Sequence, residues 1–195
     1  MNEIKIKALK GRIWITAKTR MQAEKRYRLY DVVSHIYLCL LSFLAICLGV
    51  FSEYIHQDFP LSEVSIVVSV FIFGASIIVF GFSFGESAVL QRECYLRLQK
   101  AEGEDEVEYE KLHNIYCDIN SSYPNHSTAD YEFFIVERTF WHKKSIEYYS
   151  YDGKIVLIDW NWQILLSVIG RSAFFLAIMI LPPVTFIAVF MIFRN

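Results

Sequence analysis

The chain has 195 residues, 54% of them hydrophobic and 21% charged, with a formal net charge of −2. Near-neutral charge excludes the broad basic field of a nucleic-acid-binding domain, and no direct nucleic-acid contact is expected. A mean hydropathy of +0.31 reflects apolar runs longer than one globular core needs.

Residues 4–31 read as a helix. Ile6, Leu9, Ile13, Ala17 and Met21 recur at spacings of three and four and form one apolar stripe. Basic residues cover the remaining faces. Such a helix either lies on a membrane or partner surface, or packs its stripe on a cytoplasmic domain.

Three apolar runs carry no Asp, Glu, Lys or Arg: Val32 to Phe51, Val64 to Phe84, and Ser172 to Phe193. At about 1.5 Å per residue each reaches about 30 Å, the thickness of the hydrocarbon layer. The second run holds 14 Val, Ile or Phe residues. At mid-membrane values these favour insertion by about 4–8 kcal/mol. Pro182 and Pro183 fall within the third run and predict a kinked span. The 31 residues before the first run are too long for a signal-peptide n-region, and no small-residue cleavage site follows.

Residues 1–31 hold nine Lys and Arg, whereas 52–63 hold none. The positive-inside rule then places the N-terminus in the cytoplasm, 52–63 outside, 86–171 inside and the C-terminus outside. The predicted organisation is a basic cytoplasmic helix over 1–31 and a transmembrane hairpin over 32–84, with spans 32–51 and 64–84. A helical cytoplasmic domain over 85–154, an interfacial helix over 155–171 and a third span over 172–193 follow. The fold class is thus an all-α integral membrane protein.

Within 85–171, Glu86 to Ala101 is expected to continue the second span's helix. An acidic break at Glu102 to Glu106 contains Gly103, and a helix follows from Val107 to Ile119 with Leu112, Ile115, Tyr116 and Ile119 inward. The stretch ending at His126 is rich in helix breakers. Ser127 and Asp130 resemble a capping box that opens a third helix toward Tyr149. Asp152-Gly153 marks a turn. Ile155 to Gly170, with Trp160 and Trp162, reads as an interfacial helix leading into the third span.

The four cysteines, Cys39, Cys47, Cys94 and Cys117, show no disulfide framework and suit a reducing compartment. His113 and Cys117 lie four apart with His126 beyond, but a fourth zinc ligand is not evident. Cys94 and Cys117 with the histidines form no recognisable nucleophile–base signature. Asn125, His126 and Asp130 cluster at a loop and helix start, where capping is the simpler role. No phosphate loop or metalloprotease motif occurs, so no catalytic, cofactor or metal site is expected.

The spans themselves carry small and weakly polar faces. Ser69, Ser76 and Ser83 recur every seven residues, with Ser62 extending the row, and Gly81 and Gly85 form a GxxxG pair. His35, Cys39, Ser42, Ala45 and Gly49 form one face of the first span. These faces serve helix packing or line a water-accessible path, and an ionisable residue such as His35 within a span defaults to a functional candidate.

The text on both sides of the hairpin resembles the SLATT family, the SMODS and SLOG-associating two-span effectors, and most closely its fifth subgroup. Before the first span the resemblance rests on Arg12-Ile13, Thr16, Arg20 and Arg26. After the second it rests on Tyr95, Asn114-Ile115-Tyr116, Pro124-Asn125-His126 and Asp130-Tyr131. It covers roughly residues 5–150. The third run departs from a plain two-span pattern. The resemblance implies a homo-oligomeric effector of a bacterial antiphage system in the inner membrane. Such an effector forms pores or disrupts the bilayer when a sensor or nucleotide signal triggers it, with a nucleotide cyclase or reverse transcriptase encoded nearby. A non-pore membrane adaptor is the alternative, and a membrane-bound enzyme ranks below both.

Overall fold

The computed structural model describes residues 2–51, 61–104 and 108–194. The connection carrying Glu53 and Asp58, and the acidic break around Asp105 and Val107, lie outside the described residues. So do the side chains of Ser62, Pro182 and Pro183.

The helices are α1 (Asn2–Phe51), α2 (Leu61–Phe82), α3 (Phe84–Glu102), α4 (Tyr109–Ser122), α5 (Thr128–Ile135) and α6 (Trp162–Arg194). A π-helical turn, Val136–Trp141, extends α5, and an antiparallel hairpin follows it: β1 (Ile146–Tyr149) and β2 (Ile155–Ile158). The chain divides into a polar unit, residues 1–27 and 85–171, and an apolar unit, residues 28–84 and 172–195.

In the polar unit the α1 stripe is the first wall of a core. Leu9, Ile13 and Ala17 are buried against Cys94, Leu98 and Ala101 of α3, Leu112 and Ile119 of α4, and Tyr123. Ile6, Ile115 and Tyr116 pack on its margin. The stripe therefore packs on this unit's other helices and is not left for a membrane surface. A second cluster, Phe134, Ile135 and Ile146, is flanked by Trp14, Ile15 and Tyr131. Gly11 lets β1 approach α1: a Cβ built there would stand 3.0 Å from Tyr148 Cβ.

The expected third helix toward Tyr149 is corrected, and so is the first part of the expected helix from Ile155 to Gly170, which is helical only from Trp162. The helical path ends at Trp141, and Ile146 pairs with Ile158 while Tyr149 pairs with Ile155. Both strands are rich in β-branched and aromatic residues, which suit a pleated surface. The Asp152-Gly153 turn closes them: Gly153 takes φ +82, and the Ser150 N–H donates to Lys154 O at 2.7 Å. The fold is helical with this one hairpin among the described residues.

In the apolar unit, α1 from Val32 and α2 present their large side chains outward. Val67, Phe71, Phe73, Ile77 and Phe80 are all exposed. The two helices that are long and apolar enough to cross a bilayer are almost entirely uncovered in their most apolar stretch, with Ala45 the buried exception among the described residues. A soluble protein's core helix would be covered, so these faces require lipid or another protein. The expected continuous helix through Phe84 is interrupted: Ser83 has φ +43, and its N–H bonds Phe80 O at 3.2 Å. On chain order alone, α6 includes both prolines of the third run.

Candidate functional site

One face of α1 gathers polar residues from α3, α4 and the loop before α5. Arg20 is 0% exposed. It donates from Nη1 to Gln91 Oε1 at 3.2 Å and to the Pro124 carbonyl at 2.8 Å, and from Nη2 to Asn120 Oδ1 at 3.1 Å. The Gln91 amide donates to the same Pro124 carbonyl at 3.0 Å. All these acceptors are neutral, so a full charge is buried with hydrogen bonds alone to offset its lost hydration. Its Nε has no partner.

Two turns further along α1, Arg26 grips Asp130. Nε donates to Oδ1 at 2.7 Å and Nη2 to Oδ2 at 3.1 Å, a fork-to-fork pair. Burial disfavours the Arg26 charge, but hydrogen bonding and attraction to Asp130 more than reverse this and raise its pKa above the ordinary value. Asp130, 2% exposed, also closes the capping box of α5. Its Oδ2 accepts from the Ser127 N–H at 2.9 Å and from Ser127 Oγ at 2.8 Å. One carboxylate thus starts α5 and fastens it to α1.

Further contacts continue this latch. Thr16 Oγ1 lies 3.2 Å from the Tyr116 hydroxyl, Arg12 donates to the Tyr151 hydroxyl at 3.0 Å, and Lys25 meets Glu137 at 3.1 Å. Tyr95 packs against the first core and Tyr131 against the second. Asn125 is exposed, while His126 is half-buried with Nδ1 unpartnered. Burial first, then the positive charge of Arg20, pull the His126 imidazole below its ordinary pKa, against an opposing pull from Asp130.

The residues singled out in the spans stand on α1, α2 and the start of α3. Ser42, Ser69 and Ser76 each donate to the carbonyl four residues back, at 2.8, 2.8 and 2.7 Å, which satisfies them within their own helices. Ser69 is exposed and Ser76 half-buried; Ser83, at its positive φ, leaves the helical row. Ala45 and Gly49 face α2 through Ser65, whose Oγ lies 3.5 Å from Ala45 O and 3.8 Å from a Cβ built at Gly49. His35 is exposed, 3.7 Å from Asp31, and Cys39 is exposed too. Gly81 meets nothing within 4 Å, and Gly85 is half-buried at the start of α3.

Cys117 Sγ lies 3.8 Å from His113 Nδ1 one turn earlier on α4. No group of three His, Cys, Asp or Glu among the described residues is arranged to hold a metal ion. Burial raises the Cys94 thiol pKa, against smaller pulls from Arg20 and Arg97, which opposes thiolate formation.

A family model described as SMODS and SLOG-associating 2TM effector domain family 5 matches residues 2–189. The chain belongs to this family. No curated protein and no solved structure matches it. Membership in a two-span effector family accounts for the two uncovered apolar helices: this SLATT chain is a membrane protein of the effector class. Half of the residues that carry the SLATT resemblance stand at the latch, among them Arg12, Arg20, Arg26, Pro124 and Asp130. Sequence reasoning missed their counterparts Gln91, Asn120 and Tyr151. A lone polar residue on a helix has no local signature, and only the fold shows that it faces a buried guanidinium.

Proposed function

We propose that this protein permeabilises a bacterial cell membrane as a homo-oligomer, serving as the terminal effector of an antiphage system. In this reading the N-terminus and polar unit are cytoplasmic, Ser172 to Phe193 forms a third span, and the C-terminus lies outside. A sensor partner or nucleotide signal shifts the polar unit between two arrangements, and the protein itself performs no covalent chemistry. A nucleotide cyclase or reverse transcriptase encoded nearby would supply such a signal.

The observation that carries the reading is α1. A single helix holds Arg12, Arg20 and Arg26 at the latch and then, from Val32, the first apolar run. Its polar part is bonded to α3, α4 and the start of α5, so a signal that rearranges those elements acts directly on the helix that enters the membrane. Bias between two pre-existing arrangements is enough for control. Small residues where α1 and α2 meet suit close packing in lipid, where association relies on van der Waals contact and weak polar bonds.

Dye release from vesicles holding the reconstituted full chain tests the reading, with cross-linked oligomer size measured on the same samples. Ser76→Leu separates conduction from packing. If Ser76 faces a water-filled path, leucine dewets it and blocks release while insertion and assembly persist. Full release by a normally assembled Ser76→Leu protein would exclude this face as the path. An inserted wild type that releases no dye in any activated condition favours the adaptor reading.

A further inference from the structure

The polar unit carries a chain of four aromatic rings, of which Trp160 packs on the core and the outer members do not. Phe140 meets Trp141 at 5.7 Å and Trp160 at 5.1 Å, and Trp160 meets Trp162 at 5.5 Å, each pair edge to face. The outer members are open: Trp141 is 71% exposed and Trp162 68%. Trp162 is the first residue of α6, the helix that holds the third apolar run. Two large indoles left in water are costly, whereas the boundary between lipid headgroups and acyl chains suits both their apolar rings and their N–H groups.

Immediately after Trp141 come His142, Lys143 and Lys144, all exposed. Their backbone is pinned, with the His142 N–H on Glu137 O at 3.1 Å and the Lys144 N–H on Arg138 O at 3.0 Å. Lys143 takes φ +51, a left-handed conformation that favours glycine, so this lysine stands where its backbone is strained. Of the neighbouring carboxylates, Glu137 is paired with Lys25, whereas Asp159, on the Trp160 N–H, and Glu147, on the Ser145 hydroxyl, keep their charge. The segment from Trp141 to Lys144 itself holds two lysine charges and no carboxylate, beside an exposed ring.

We propose that Trp141, Lys143 and Lys144, together with Trp162, seat the polar unit on the anionic lipid surface of the membrane that holds the spans. The indoles enter the interface and the two ammonium groups meet lipid phosphates. Charge complementarity with an acidic leaflet and chain continuity with the apolar part of α6 favour lipid over another protein as the occupant. The inference rests on the membrane assignment and not on permeabilisation.

Trp141→Phe removes an exposed indole and no core contact, so the emission of the wild-type full chain minus that of this variant isolates Trp141. The probe is vesicles of phosphatidylcholine with phosphatidylglycerol, prepared with and without acyl chains brominated near the headgroup. Brominated lipid should quench the difference emission. The quenching should be lost in pure phosphatidylcholine, in high salt, and in a Lys143→Glu, Lys144→Glu variant that keeps its helical signal. Difference emission that is water-like and unquenched in both lipid compositions would overturn the proposal. A blue-shifted emission that brominated lipid leaves unchanged but protein dilution reverses would overturn it in favour of a second copy of the chain. Either failure leaves the dye-release result standing, because the full-chain assay does not require this contact.

Discussion

At the residue scale, Asp130 performs two jobs that two substitutions can separate. Asp130→Asn removes the charge opposite Arg26, whereas Ser127→Ala removes only the cap. Breaking a fully buried pair costs about 3–5 kcal/mol. Arg26 keeps 27% of its side chain exposed, so the screened cost is expected near 2–3 kcal/mol. The cap should cost about 1 kcal/mol. Tryptophan-monitored melting in detergent should show the larger drop for Asp130→Asn, and the reverse order would contradict the latch. His126 gives a pH signature. Its folded-state pKa lies below the ordinary 6.5, so the unfolded chain takes up the proton first as pH falls. The stability from the neutral imidazole is therefore present above about pH 6.5 and lost as pH drops through the folded value. The melting midpoint should fall on acidification from neutral, and His126→Gln should fall less. Arg12, Arg20, Arg26, Pro124 and Asp130 were legible through their resemblance to a family text. Which carbonyl or carboxylate each one meets was not, because those partners lie about a hundred residues away in sequence.

At the element scale, long periodic helices were the readable part and the hairpin was not. The α1 stripe, the inward face of α4 and the Ser127–Asp130 cap follow from spacing and side-chain chemistry, and the fold shows all three. The strands are four residues each, too short to establish alternation, and their aromatic and aliphatic residues also fit a buried helix face. The stronger clue was Asp152-Gly153 flanked by Ile, Val and Tyr, which marks a hairpin. Ser83 broke the expected continuous helix through a backbone angle that no periodicity reports. The β1–α1 contact can be tested at Gly11. In an exposed helix a larger residue would raise helix propensity, but here its side chain meets Tyr148. Gly11→Val should destabilise the polar unit by about 1–3 kcal/mol through overpacking. A melting midpoint equal to or above that of wild type would mean that β1 yields freely.

At the scale of the whole molecule, α1 runs from the polar unit, where Arg20 is buried, into the apolar unit with its uncovered helices. Topology is checked by introducing cysteines at Ser52 and Asn195 into a chain whose own cysteines are replaced. Both positions should react with an impermeant reagent from outside the cell. Reaction at Ser52 alone would remove the third span and bring the C-terminus inside. In the proposed function the latch restrains a membrane-permeabilising assembly. Arg20→Gln keeps side-chain polarity but removes the charge and the multiple donors that tie α1 to Gln91, Asn120 and Pro124. The most direct measurement is membrane potential, read with a potential-sensitive dye in cells expressing wild type or Arg20→Gln at matched membrane levels. The variant should collapse the potential without a trigger at levels where wild type maintains it. An inserted variant that leaves the potential intact over the whole expression range would contradict it.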